Sequence, residues 1–257
     1  MSLIDSEPHR RVLTLLDRGQ ADQDAFAAHI SNEERAARGE LHSWSAKDQI
    51  AHNNFWRKDA IWRLQAARDG TNPPDTDDEQ KQNDRVFRER RDAPWDELVT
   101  ETQRLHAETA GLSHQLTPDD LAEKDRYPWQ HGASLETLIF VNWYDQPAEH
   151  WADFYIRGNE LDRALELRGA VATTVRELFP DKPKMYSYML YKLGSLSAGN
   201  GRAEQAIDSL REALTVNPSL IDWVRNDSSL DSVRTMPAFR SLGEGLRERG
   251  GHAAWLA

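Results

Sequence analysis

The chain has 257 residues, 39% of them hydrophobic and 29% charged, which is enough for two modest domains with separate cores. Its 43 acidic against 32 basic residues give a formal charge of −11, so counterion release offers no drive for binding nucleic acid. The absence of cysteine excludes disulfides, thiolate nucleophiles and cysteine-ligated zinc or iron–sulfur sites.

Apolar residues at helical spacing (Val12, Leu15, Leu16, Phe26 and Ile30) predict a first helix over Pro8 to Ile30. The polar stretch Ser31 to Ser43, with Gly39, reads as a connection. Ser45 is a good N-cap, with Lys47 and Asp48 in the turn that follows, and Ile50, Phe55, Trp56, Ile61, Trp62 and Leu64 mark a second helix to Asp69. Gly70 ends it, and the segment from Thr71 to Glu79 is a loop on composition. Its acidic residues Asp75, Asp77, Asp78 and Glu79 lack the glycine spacing of a calcium loop and read as solvated.

A third helix is predicted over Gln80 to Leu116 with a joint at Ala93-Pro94-Trp95, because proline has no amide proton and restarts a helix rather than continuing one. Thr117 to Asp120 starts a short helical turn, and Tyr127 to Gly132 is a loop. Ser134 caps a fourth helix over Leu135 to Ile156. Pro147 lies within that helix and is expected to kink it, pushing Gln146 away from α-helical backbone angles. Past Gly158-Asn159 the pattern changes to an amphipathic helix, Leu161 to Leu178, a break at Phe179 to Pro183, and a helix pair, Met185 to Ser197 and Ala203 to Val216. Short polar helices follow. No window alternates with period two, so the expected fold is all-α, divided into residues 1–157 and 158–257.

Two segments carry a family likeness. The first is Trp44-Ser45-Ala46-Lys47-Asp48-Gln49-Ile50-Ala51-His52, continuing through Trp56. The second is Tyr127-Pro128-Trp129 followed by Asn142-Trp143-Tyr144-Asp145-Gln146-Pro147-Ala148-Glu149-His150. In order and spacing they resemble the DinB-like superfamily of four-helix bundles, in particular its ClbS/DfsB-type branch; Asn83, Val86-Phe87 and Pro94-Trp95 also sit where that branch has similar residues. The C-terminal part is similar to a tetratricopeptide repeat: Leu193, Gly194, Ala206, Leu210, Ala213 and Pro218 hold the repeat's small, apolar and proline positions. Only one repeat is matched, so this tail is expected to lean on the bundle or on another subunit.

The likeness implies a site. Many members of the superfamily bind a divalent metal, zinc or nickel in type, through one histidine of the second helix and two of the fourth. His52 and His150 match two of these positions, and Gln146 stands at the third. Gln146 and His150 are four apart and share a helical face, but a carboxamide oxygen is a poor zinc ligand beside imidazole. Without metal, His52 and His150 could serve as acid–base groups, since histidine titrates near neutrality. The plainer alternative is a hydrogen-bonded pair that ties two helices together, oriented by Asp48 or Asp153. Trp56, Asn83, Trp129, Asn142 and Gln146 are the implied ligand-binding residues, although core packing is the commoner role for tryptophan. His131, beside Trp129, belongs near the bundle mouth on the same pattern; His9, His29, His42, His106, His114 and His252 read as solvated.

Two functions follow as expectations. The superfamily includes metal-dependent thiol transferases and isomerases, and the branch includes proteins that open an electrophilic cyclopropane warhead and so protect the producing cell's DNA. The chain would then act on an electrophilic small molecule, as a hydrolase or thiol transferase. The alternative is a non-catalytic binding or scaffold protein, with a protein partner or a second copy held through the tail. The longest purely apolar run, Leu138 to Val141, is far below the roughly 20 residues of a membrane span, and the N-terminal segment lacks a signal-peptide pattern. A cytoplasmic protein with no membrane partner is expected.

Overall fold

A computed structural model describes residues 6–75 and 78–247, with side chains to residue 242. Asp77 and His252, both named above, lie outside the described residues. Among these residues the fold is all-helical, with no strand, and no helix is long and apolar enough to cross a membrane. The chain divides into two compact units, residues 1–154 and 155–257.

In the first unit, α1 (Glu7–His29) is followed by a single-turn helix, α2 (Asn32–Ala36), inside the segment expected to be a plain connection. The reason is local: Ser31 and Glu34 form a reciprocal capping box that satisfies the first free amides. Ser45 and Asp48 do the same at the head of α3 (Ala46–Asp69), and Gly70 closes α3 in the left-handed region at φ 65°. The predicted third helix is two helices, α4 (Glu79–Arg90) and α5 (Trp95–Ser113), with Pro94 as the N-cap of the second. A short α6 (Pro118–Ala122) follows. Then α7 (Leu135–Phe140), a π-helical turn (Val141–Asp145) and α8 (Gln146–Arg157) run on without a break.

The expectation that Pro147 would push Gln146 out of α-helical angles is not met. Gln146 keeps α-helical angles, φ −65° and ψ −44°. The helix meets the missing amide proton by widening for one turn, in which the Gln146 amide donates to Val141, five residues back. Such a turn has no propensity signature and is not readable from proline alone.

The core of this unit draws Val12 and Leu16 from α1, Ile61 and Leu64 from α3, Leu105 and Leu112 from α5, and Ile139 and Trp143 from α7 and the π turn. Arg57 of α3 is fully buried among them, its guanidinium 4.5 Å over the Trp143 ring and its Nη1 donating to Gln23 Oε1 at 2.6 Å. Gln23 in turn donates to Thr102, and Thr102 to Asn54, so α1, α3 and α5 are joined by one buried polar chain. His9, expected from sequence to be solvated, is also buried. Ser6 Oγ meets its Nδ1 at 2.7 Å and the Leu116 carbonyl its Nε2 at 3.1 Å. A partner 107 positions away gives no local signal.

The second unit holds α9 (Leu161–Leu178), α10 (Pro183–Gly199) and α11 (Ala203–Val216), then α12 (Ile221–Asn226) and α13 (Pro237–Arg247) with two 3₁₀ turns beside α12. Leu193, Leu210 and Leu214 are buried in it. Gly194 lets α10 and α11 approach: a Cβ there would lie 2.8 Å from Leu210 Cγ and 3.3 Å from the Ala206 carbonyl oxygen. Gly194→Val is accordingly expected to destabilise the chain by about 1–3 kcal/mol, as overpacking does. Urea denaturation checks it, and a variant as stable as the parent would refute close packing at this point.

Candidate functional site

His52 lies in the second turn of α3 and His150 in the first turns of α8, and their rings are in contact, with centroids 4.7 Å apart and planes at 78°. Trp44 covers both, 4.7 Å from the His52 ring and 5.9 Å from that of His150, and its indole N–H is fixed to the Leu41 carbonyl. No side chain separates the two imidazoles. Asp48, one of the two carboxylates considered as an orienting partner, is taken up by its capping box with Ser45.

Burial sets the electrostatics of the pair. Removal from water disfavours the imidazolium and lowers His52 to about 3, with the neighbouring His150 adding to the effect and Asn83 opposing it. Burial lowers His150 to about 4. Both rings are neutral at pH 7, which moves them away from the near-neutral titration expected of acid–base groups. Asn83 is the side chain that bonds toward the His52 ring; its contact falls short of ordinary hydrogen-bond geometry, and the ring is 3% exposed.

Beside the pair is a cavity of about 370 Å³. Four of the five ligand-binding residues expected from sequence line it: Trp56, Trp129, Asn142 and Gln146. The fifth, Asn83, stands behind Trp56, whose Nε1–H donates to Asn83 Oδ1 at 3.1 Å. His52 and His150 are not part of the lining. His131 is exposed in the loop at φ 48°, while its neighbours Trp129, Gln130 and Ala133 contribute to the wall.

The link between pair and cavity is periodic. His52, Trp56, Asp59 and Arg63 are at i, i+4, i+7 and i+11, a single stripe along α3 that starts at the imidazoles and ends in the cavity. Opposite them, Leu138, Asn142, Gln146 and His150 are spaced by four. In an ideal α-helix that spacing drifts about 40° per step; the wider π turn slows the drift and keeps Asn142 and Gln146 on the cavity side.

Sequence reasoning misses Asp59 and Arg63, an ion pair at 2.7 Å in the cavity wall, and Glu79, which composition assigns to a solvated loop. The first two carry a signal, since they are polar residues on the face that holds His52 and Trp56. Trp44 heads the first likeness-bearing segment, but its place as the roof has no signal in the spacing.

The donors fit a metal ion only in part. Two neutral imidazoles in contact suit one, and the buried nitrogens of His52, approached by Asn83 without ordinary hydrogen-bond geometry, leave room for a further partner. The remaining donor is the Gln146 carboxamide, and among the described residues no group of three or more His, Asp or Glu is arranged to hold an ion. That falls short of the three good protein ligands of a catalytic zinc site. Comparison of the chain with protein-family models, with curated proteins and with solved structures found no match.

Proposed function

We propose that the first unit is a DinB-like four-helix bundle which binds an electrophilic small molecule in the cavity between α3 and the α7–α8 run and processes it by hydrolysis or thiol transfer. The observation that carries this is the contact pair of neutral imidazoles on the same two stripes that line the cavity. A neutral imidazole keeps a lone pair at every pH above its titration, so the pair can accept a hydrogen bond from a nucleophile, a water or an external thiol, beside a ligand walled by Trp56 and Trp129. Self-protection against a reactive small molecule, as in the ClbS-type branch, belongs to this reading. The close α10–α11 packing supports a tetratricopeptide-like second unit, which would serve protein contacts.

One observation favours a second reading, non-catalytic binding. Imidazoles lowered to about 3 and 4 are weak bases toward water or thiols, and Gln146 weakens any metal assistance. The experiment is incubation with a model epoxide, with and without a low-molecular-weight thiol, followed by mass spectrometry of the products. Turnover that His52→Ala and His150→Ala abolish supports the enzyme. Saturable binding with no product in any condition supports the second reading and sinks the first. Zinc titration completes it: Gln146→His is expected to tighten zinc binding at least about tenfold, roughly 1.4 kcal/mol. An unchanged affinity would mean that residue 146 cannot reach an ion shared by the pair.

A further inference from the structure

We infer, building on the small-molecule reading of this cavity, that Trp56 is a movable partition between the cavity and the imidazole pair, and that Asn83 is the positioning residue that holds it closed. Trp56 borders both spaces. It lines the cavity, and its ring lies 6.3 Å from that of His52 at 63°. Its N–H donates to Asn83 Oδ1 at 3.1 Å, across from α3 to α4. The roof residue Trp44 is tied to the backbone of its own loop at Leu41. Of the two indoles against His52, Trp56 is the one whose displacement joins the imidazole to the cavity.

The two ends of the latch differ in how firmly they are held. α3 is buried along most of its length, whereas α4 has 12 residues and buries Gln82, Val86 and Phe87. Helices with few buried residues belong to the easily opened part of a fold. Behind the partition, both ring nitrogens of His52 are buried without a hydrogen bond of ordinary geometry, and the Asn83 carboxamide that holds Trp56 is also the side chain that interacts with this ring. A buried donor and acceptor left unmet favour any state in which a partner reaches them. The closed indole thus sits between a buried imidazole and the space from which a ligand group would come, and one hydrogen bond of ordinary length fixes it.

Site-resolved labelling of histidines with diethylpyrocarbonate, read by mass spectrometry on the full chain, tests this. Asn83→Leu removes the acceptor at similar volume, and Trp56→Phe removes the donor while keeping an aromatic wall. Each is expected to speed labelling of His52 by up to roughly tenfold, the change that one lost hydrogen bond allows, with exposed His131 unchanged. Equal His52 rates in the parent and both variants would overturn the assignment, and so would a rise in Asn83→Leu alone, because that variant also removes the contact of Asn83 with His52. So would an equal rise at every histidine, which signals general loosening. In the unaltered chain, the opening equilibrium from deuterium exchange of the Trp56 indole N–H should agree with that from His52 labelling. An indole that exchanges freely while His52 stays protected would overturn the partition even if a variant failed to fold. No ligand is needed, so a partition that proves wrong leaves cavity binding to its own test, and an empty cavity leaves the labelling result intact.

Discussion

Between pH 7 and pH 4.5, in the presence of a chelator, replacing His52 by Gln is expected to flatten the loss of folding stability by roughly 2–3 kcal/mol, since each tenfold difference in proton affinity between folded and unfolded chains is worth about 1.4 kcal/mol. The sign follows from burial. His52 is lowered to about 3 and His150 to about 4, from 6.5. Over the interval from 6.5 down to those values the unfolded chain binds protons that the folded chain refuses. The contribution of each ring is complete above pH 6.5 and is lost as the pH falls below it. Asp22 works the other way: burial raises its carboxyl to about 6, so it gains relative stability as pH falls through that value. The total curve therefore mixes opposed contributions, and the difference between parent and His52→Gln isolates the imidazole. Urea denaturation followed by tryptophan fluorescence at the two pH values measures it. If parent and variant lose the same stability on acidification, the ring is solvated in solution and the pair is not buried as described.

The acid-sensitive pair is legible because its residues are ordered by spacing. Ser45 announces the start of α3, which puts His52 in the second turn, and Ser134 does the same for the run that carries His150. Helix starts are local chemistry, a hydroxyl and the amide three residues on, and so they can be read from a few letters. The π turn cannot be read that way. It arises where Pro147 withholds a donor and the packing around Trp143 accompanies a helix that continues through the proline. The burial of His9 and Arg57 escapes for a related reason: their partners Leu116 and Gln23 lie 107 and 34 positions away. The stripe from Trp56 through Asp59 to Arg63 is intermediate. Its periodicity is present in the sequence, but an Asp and an Arg four apart also describe an ordinary solvated helix face.

Gly19→Ala is expected to destabilise the chain although alanine is the better helix former. Gly19 lies inside α1, where glycine is about 1 kcal/mol worse than alanine on backbone entropy alone. A Cβ at this position, however, would stand 2.1 Å from the Trp143 carbonyl oxygen and 3.0 Å from its carbon. Both are backbone atoms of the π turn, so no rotamer change relieves the overlap and α1 must move away. In a regular α-helix the amide at position 147 would donate to that same carbonyl, and Pro147 has none to give. The close approach of Gly19 is therefore matched to the turn that proline creates, with Cα–H in place to meet the oxygen. Displacing α1 also disturbs Trp143, on which Arg57 is stacked, and Asn142 and Gln146 in the cavity wall. The expected net loss is roughly 1–3 kcal/mol, the range for forced overpacking. Gly111→Ala supplies the comparison: that glycine is in α5, exposed, with nothing outside its own helical turn within 4 Å of where a Cβ would stand, and alanine there should stabilise by about 0.5–1 kcal/mol. Denaturation of both variants decides the point. Should Gly19→Ala gain stability as Gly111→Ala does, α1 does not press on the π turn, and the geometry that carries Asn142 and Gln146 into the cavity is wrong.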